Sequence, residues 1–260
     1  MSTTLTAASP REQKLLANID PASMRGLEIG PLHRPIALKR NGYVKYVDHN
    51  STEELRRRFV NDPVVRPEDI ADVDFVIKGG KGILDVVTEK FDYIIASHVF
   101  EHVPNPVLWL NEMHALLNPG GILSLAIPDR RYTFDILRPQ TSLGEVIEAY
   151  VTKRETPPFR HVFDQHCYWR DVNAFKLWDG VEDLSKIHAP SGIPSALEIA
   201  KKSLEPGVYH DVHCNVLADV EFRFIFGALQ VLGYVRLELA QFFDTAHHTN
   251  EFVVQLKAPA

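Results

Sequence analysis

Cysteine is nearly missing: Cys167 and Cys214 are the two in 260 residues. Such a chain carries no disulfide framework, and the expected location is the reducing cytoplasm. An excess of positive charge is missing as well. The 28 Lys and Arg stand against 34 Asp and Glu, a net charge of −6. No global basic field draws this chain to nucleic acid or to an anionic membrane. No apolar run approaches the roughly 20 residues of a membrane span. The opening MSTTLTAASPREQ lacks a basic segment followed by an apolar one, so no signal peptide is expected. Internal repeats and low-complexity tracts are absent too. What is there is 45% hydrophobic residues, ample for one α/β domain with an insertion.

The most informative stretch is Phe91–Asp135. Its apolar runs Tyr93–Ala96 and Ile122–Ile127 read as parallel strands buried on both faces. They end in polar residues, Ser97-His98 and Asp129-Arg130-Arg131. Between them Asn105-Pro106 opens a helix, and Asn118-Pro119-Gly120-Gly121 stops it. Ligands of an open α/β sheet bind outside the carboxyl ends of its strands. Strands are expected at Gly26–Ile29, Tyr43–Val47, Val73–Ile77, Phe91–Ala96 and Gly121–Pro128, with a short helix from Arg11 to Ile19 before them. Ser51-Thr52-Glu53-Glu54 is a capping box opening another helix. Residues 129–214 break the alternation and are too long for a single loop. They read as an inserted cap, with Ser-x-x-Glu helix starts at Ser142 and Ser195. A helix near Ala218–Leu232 and two antiparallel strands, Tyr234–Phe242 and Glu251–Lys257, close the chain. The expected division is an N-terminal extension 1–23, a core 24–128 plus 215–260, and a cap 129–214.

A strand, a Gly turn, a helix, a second strand and an acidic residue make the logic of a nucleotide site. Gly30 lets backbone approach a ligand. Asp48, eighteen residues on, can accept both hydroxyls of a ribose. A hydride-transfer enzyme shares this sheet, but one Gly makes no pyrophosphate fingerprint. Tyr150 and Lys153 are spaced wrongly for the Tyr-x-x-x-Lys pair of short-chain dehydrogenases.

Gly26-Leu27-Glu28-Ile29-Gly30, Val47-Asp48, Phe91–His98 and Leu116–Pro128 resemble the motifs of class I S-adenosylmethionine-dependent methyltransferases. The resemblance implies an α/β fold, a Rossmann-like seven-stranded sheet with helices on both faces, its last strand antiparallel. It implies S-adenosyl-L-methionine as cofactor. Glu28 and Gly30 would shape the methionine pocket, Asp48 would hold the ribose, Ile77–Gly80 with Gly79 would flank the adenine, and Ser97-His98 would lie near the sulfonium. The family's loop commonly reads Glu-x-Gly-x-Gly-x-Gly; here Glu28 to Arg34 contains one glycine, and Lys78 stands where an acidic residue is often found.

Methyl transfer to a hydroxyl also needs a proton removed, by a base or after metal coordination. The candidates are His98, Glu101, His102, Asp129, Asp211 and His213. His98-x-x-Glu101-His102 is similar to the Glu-x-x-Glu-His motif of metal-dependent O-methyltransferases. That similarity implies a divalent cation, Mg²⁺ or another, on Glu101 and His102 with Asp129 or His213. The alternative is a Glu-His pair that lines the cofactor pocket or caps the next helix. His98, Asp129 and His213 are the candidate catalytic groups. Arg130, Arg131, Asp211 and Tyr168 are the candidate substrate contacts, against a reading as surface charge and cap packing. His247-His248 reads as surface.

Gly30-Pro31-Leu32-His33-Arg34-Pro35 and Ile127–Asp135 are similar to stretches of bacterial methyltransferases associated with glycan biosynthesis. The expectation is an O-methyltransferase acting on a small polyhydroxylated acceptor, a sugar or oligosaccharide. A metal-independent enzyme with a non-sugar acceptor and an inactive cofactor-binding partner stand as alternatives. No membrane or nucleic-acid partner is expected, and a homodimer is left open.

Overall fold

The computed structural model describes residues 8–79, 81–184 and 192–260. A capping box between Ser9 and Glu12 starts helix α1, Pro10–Leu15. Strand β1, Gly26–Ile29, is followed by β2, Val44–Asp48. The Ser51–Glu54 box forms as expected and starts α2, Thr52–Arg58. Strand β3, Phe75–Val76, is shorter than the sequence suggests, and a four-residue helix α3, Ile83–Val86, follows it. Then come β4, Phe91–Ser97, α4, Pro106–Leu116, and β5, Leu117–Pro128. The Asn118–Gly121 turn thus lies within β5. Leu117 already pairs with Phe91, and the register shifts before Tyr93 meets Ile122.

Residues 129–214, expected as a cap, hold α5, Leu143–Val151, α6, Phe159–Tyr168, α7, Ala174–Trp178, and α8, Ile193–Lys202. Ser142 caps α5 as expected. Ser195 does not cap α8: Pro194 occupies the first turn and fixes the start two residues earlier, leaving Gly192 as the cap. The chain closes with α9, Asp219–Val231, β6, Glu238–Phe243, and β7, Glu251–Lys257. Residues 234–237, expected as strand, make no ladder; Val235 and Leu237 are instead buried in the core.

The seven strands lie in the order β3-β2-β1-β4-β5-β7-β6. Strands β1 to β5 pair in parallel, and β7 runs antiparallel to both β5 and β6. This is the Rossmann-like methyltransferase sheet that the motifs implied. One face buries Ile94, Leu123 and Phe252 against Leu110 and Met113 of α4 and Phe222 and Leu229 of α9. The other buries Tyr93, Ile95 and Ile122 under Ile19 and Ala37. Truncating such a residue to Ala costs about 2–5 kcal/mol. The strand order reverses between β1 and β4, so a crevice opens at their carboxyl ends. Gly30, Asp48, Ser97 and Asp129 follow or end those strands.

Candidate active site

The donor edge is shaped by backbone conformation. Gly30 follows β1 with φ +61°, and Leu32 has φ +46°. The left-handed region favours glycine, and Leu32 stands at the second glycine of the usual loop. Packing holds Leu32 there. Its side chain joins Leu55, Val65 and Ile70, and its carbonyl accepts the Ala71 amide at 2.7 Å. The glycine is lost from the sequence while its backbone shape is kept. Glu28 is buried beneath this loop and accepts the Ile36 amide at 2.8 Å and the Ala37 amide at 2.9 Å. Burial pushes its carboxyl up to about 7, against those bonds. Asp48 ends β2, half-buried, with its Oδ1 accepting the Asn50 amide at 2.8 Å. Burial raises its pKa. Gly79 turns with φ +67°, and the neighbouring Lys78 pairs with Glu54. Ser97 Oγ accepts from Arg11 Nη2 at 2.6 Å.

The acceptor edge is built from buried charge. His98 leaves β4 with φ +54°, a strained conformation for a histidine. The next turn, Phe100–His102, is tied to the segment before α9. The Glu101 carbonyl accepts from the Cys214 and Asn215 amides at 2.6 and 3.0 Å. Asn215 Nδ2 donates to the Phe100 and Val103 carbonyls. This clamp brings His213 beside His102, with ring centroids 4.8 Å apart. Ligand atoms of Glu101, His102 and His213 all lie within 4.8 Å of one another.

Each imidazole has a carboxylate on one nitrogen. His213 Nδ1 is 2.5 Å from Asp135 Oδ2, His102 Nδ1 is 2.8 Å from Asp211 Oδ1, and His98 Nε2 is 2.8 Å from Glu251 Oε2. The other nitrogens of His98 and His102 approach Glu101 Oε1 at 3.5 and 3.8 Å. Glu101 is 1% exposed, yet neither carboxylate oxygen has a hydrogen-bond partner among the described residues. Burial pulls the His98 and His102 pKa values down. The Glu251 bond and the Glu101 charge outweigh it at His98, and the Asp211 bond and Glu101 charge do so at His102, so both are raised. Asp135 is lowered because the His213 bond and Arg138 overcome its burial.

Glu101 and the three imidazoles line a cavity of 320 Å³, walled by Tyr132, Phe134 and Trp169, with Arg170, Asp171 and Asn250 also at its surface; Asp135, Asp211 and Glu251 are not among its lining residues. Four sequence candidates fall elsewhere. Asp129 is fully buried, held by both Arg131 and Thr245 Oγ1, so it joins no cation cluster. Arg131 is consumed by Asp129 and Asp219. Arg130 donates to the Ile136 and Arg138 carbonyls. Tyr168 is exposed and is not among the residues lining the cavity. Sequence reasoning missed Asp135, Glu251, Asn215 and Arg11. Asp135 and Asn215 lie close in sequence to residues it singled out, but no spacing rule marks them. A second group, Asp179, His247 and His248, lies on the surface.

The donor edge fits a nucleoside donor: two left-handed residues open the first loop and a carboxyl waits at the end of β2. The sheet order is that of a methyltransferase enzyme that uses S-adenosylmethionine. The chain belongs to the methyltransferase domain family, whose model matches residues 6–178. No curated protein matches the sequence. A Rhodobacter sphaeroides protein designated a Zn-dependent alcohol dehydrogenase shares the fold at TM-score 0.52 and 17% identity, over 97% of this chain and 91% of its own. The CcbJ methyltransferase of Streptomyces caelestis is similar at TM-score 0.46 and 12% identity, over 97% of each chain. A SAM-dependent methyltransferase of Methanosarcina mazei is similar at TM-score 0.46 and 14% identity, over 98% and 99%. No described helix is long and apolar enough to cross a membrane.

Proposed function

We propose that the chain is a divalent-metal-assisted O-methyltransferase acting on a hydroxyl of a small polyhydroxylated acceptor, a sugar or oligosaccharide. One observation carries this reading: the buried Glu101 carboxylate has no hydrogen bond among the described residues and faces His98 and His102 at 3.5 and 3.8 Å, among imidazoles whose far nitrogens rest on carboxylates. A buried carboxylate that no hydrogen bond satisfies costs stability, and a bound cation would offset that cost. Carboxylates behind metal-ligating histidines fix ring orientation and raise basicity. Glu101, His102 and His213 would hold the cation, and two imidazoles with a carboxylate suit a borderline transition metal. When bound, a divalent cation supplies Lewis acidity that makes an acceptor hydroxyl easier to deprotonate.

The chain's own groups do the rest. Tyr132, Phe134 and Trp169 offer apolar faces to a ring, while Arg170, Asp171 and Asn250 offer polar contacts to hydroxyls. The acceptor oxygen attacks the methyl carbon, the carbon–sulfur bond breaks, and its electron pair stays on sulfur. The hydroxyl proton passes to His98, because His213 would hold the cation in this reading. A second reading rests on the short Asp135–His213 contact: His213 as a metal-independent base oriented by Asp135.

The test is turnover of labelled donor with a panel of sugars after exhaustive chelation. The metal reading expects activity lost and then restored by Mg²⁺, Mn²⁺ or Co²⁺. Full activity after chelation leaves the His213 base reading in its place. Methylation of non-hydroxylated acceptors alone removes the sugar assignment.

A further inference from the structure

Two imidazoles and a carboxylate also meet outside the acceptor cavity, where α7 touches the turn between β6 and β7. Ligand atoms of Asp179, His247 and His248 lie within 4.8 Å of one another, and His248 Nε2 stands 2.9 Å from Asp179 Oδ1. The sequence reads His247-His248 as surface, and His247 is indeed exposed. The two rings are nevertheless arranged together. Neighbouring side chains of an extended chain point to opposite sides. Here His248 takes φ +63°, and the ring centroids lie 3.8 Å apart, 31° from parallel. The bend belongs to a tight turn in which the Thr249 amide and hydroxyl both donate to the Ala246 carbonyl, at 2.9 and 2.7 Å. Left-handed backbone costs energy at a residue other than glycine. Its effect here is to turn both imidazoles toward one carboxylate.

Aromatic packing from α7 holds the two rings. Phe175 lies 4.9 Å from His248 and Trp178 meets His247 at 5.2 Å, between ring centroids. Trp178 Nε1 donates to the Thr249 carbonyl at 2.7 Å. Helix and turn are thus ordered against each other, so an ion bound between them has little left to arrange. Two imidazoles and one carboxylate, open to water on the remaining sides, suit a borderline divalent ion such as Zn²⁺, Co²⁺ or Ni²⁺. A hard cation such as Mg²⁺ or Ca²⁺ prefers a shell of oxygens, and this cluster offers one carboxylate.

We propose that Asp179, His247 and His248 bind a divalent transition-metal ion that clasps α7 to the turn between β6 and β7. The proposal stands whether or not Glu101, His102 and His213 hold a cation of their own. Both clasped elements reach the acceptor cavity. Ala174 of α7 and Asn250 at the end of the turn line it. Trp178 stacks on Tyr132, another lining residue, with centroids 3.9 Å apart and rings 7° from parallel. The ion fixes these walls relative to one another and takes no part in methyl transfer.

Exhaustive chelation strips both clusters alike, so substitutions must separate them. The full chain carrying Glu101→Gln is dialysed to equilibrium against Zn²⁺. It is expected to bind one ion. Adding His247→Gln should weaken that binding roughly tenfold to a hundredfold or more, since losing even an outer partner of a metal costs that much. His247→Gln leaves the Asp179–His248 contact in place, so its effect cannot come from breaking that pair. Asp179→Asn should weaken the ion to a similar degree. Hydrogen exchange on the wild-type chain reads the clasp itself: Zn²⁺ should slow the amides of residues 174–179 and 246–249 together, and His247→Gln should abolish the slowing. A Glu101→Gln chain that binds no Zn²⁺ would overturn the site. Binding that neither His247→Gln nor Asp179→Asn changes would do the same. Protection confined to residues 246–249 would overturn the clasp.

Discussion

The two edges of the crevice are made by different means. The donor edge is backbone: left-handed residues at Gly30 and Leu32, and amides of residues 36 and 37 gathered by Glu28. The acceptor edge is side-chain charge: Glu101 among three imidazoles, each with its own carboxylate. Local packing sustains the first, so a glycine could be exchanged for Leu32 without losing the turn. The second draws on residues scattered from Asp135 to Glu251, and no segment makes it alone. An edge built from conformation tolerates sequence departure. An edge built from a charge network does not, because one partner removed leaves others buried and unpaired.

The largest expected effect separates the two edges directly. Glu101→Gln keeps shape and removes charge. Turnover should fall by about a thousandfold or more, about 4 kcal/mol of barrier, while S-adenosylhomocysteine binding stays within about twofold. Asp48→Ala should do the reverse. It removes charge-assisted bonds to a ribose and should weaken that ligand roughly tenfold to a hundredfold, with saturating turnover near wild type. Steady-state kinetics and calorimetry on both variants check this. Turnover surviving Glu101→Gln, or equal damage to binding and turnover in each, would dissolve the distinction.

Acid should loosen the helices of residues 129–214 while the sheet holds. His161 of α6 is buried in the cap; burial and the charge of Arg138 hold its pKa down at about 4, with Glu145 opposing. Arg154 and Arg160 add to the depression. The folded cap keeps this ring neutral, whereas the unfolded chain takes a proton near the ordinary histidine value of about 6.5. Its contribution is complete above that value and is lost as pH falls towards 4. The loss amounts to at most about 3 kcal/mol. Trp169 and Trp178 lie in the cap. Their fluorescence should report loosening below neutral pH while S-adenosylhomocysteine binding persists. His161→Gln should flatten the dependence. Donor binding lost in step with cap fluorescence would show that these helices and the sheet fail together.

The sheet was legible in the sequence because buried parallel strands are continuous apolar runs, and each strand end announces itself with polar or Gly residues. Glu101, His102 and His213 were singled out by residue type and a motif resemblance, and the fold brings their ligand atoms within 4.8 Å of one another. Asp129 and Arg131 misled for a physical reason. A charged pair after a strand looks like a site, yet Arg131 folds back onto Asp129 two residues away and bridges it to Asp219. Arg11 and Glu251 were illegible because their meaning is their meeting across the whole chain. The cap helices α6 and α7 escaped because their turns carry histidines, aromatics and charge rather than a clear apolar period.

The smallest effect tests how finely one sequence signal holds at two helix starts, both between residues 129 and 214. Ser142 and Ser195 both head a Ser-x-x-Glu pattern. Ser142 Oγ accepts the Glu145 amide at 3.2 Å, and Glu145 Oε2 accepts the Ser142 amide at 2.9 Å. That is a formed capping box on α5, whose Val146 packs into the main core. Ser195 lies inside α8, where its hydroxyl forms no cap among the described residues and Glu198 instead pairs with Lys201 at 2.8 Å. Ser142→Ala should therefore cost about 1 kcal/mol. Ser195→Ala should change stability by about 0.5 kcal/mol or less, with alanine's higher helix propensity favouring the variant. Denaturant midpoints at constant slope resolve the pair. Equal losses would mean that α8 starts at Ser195 after all, and that the proline-first start does not fix its end.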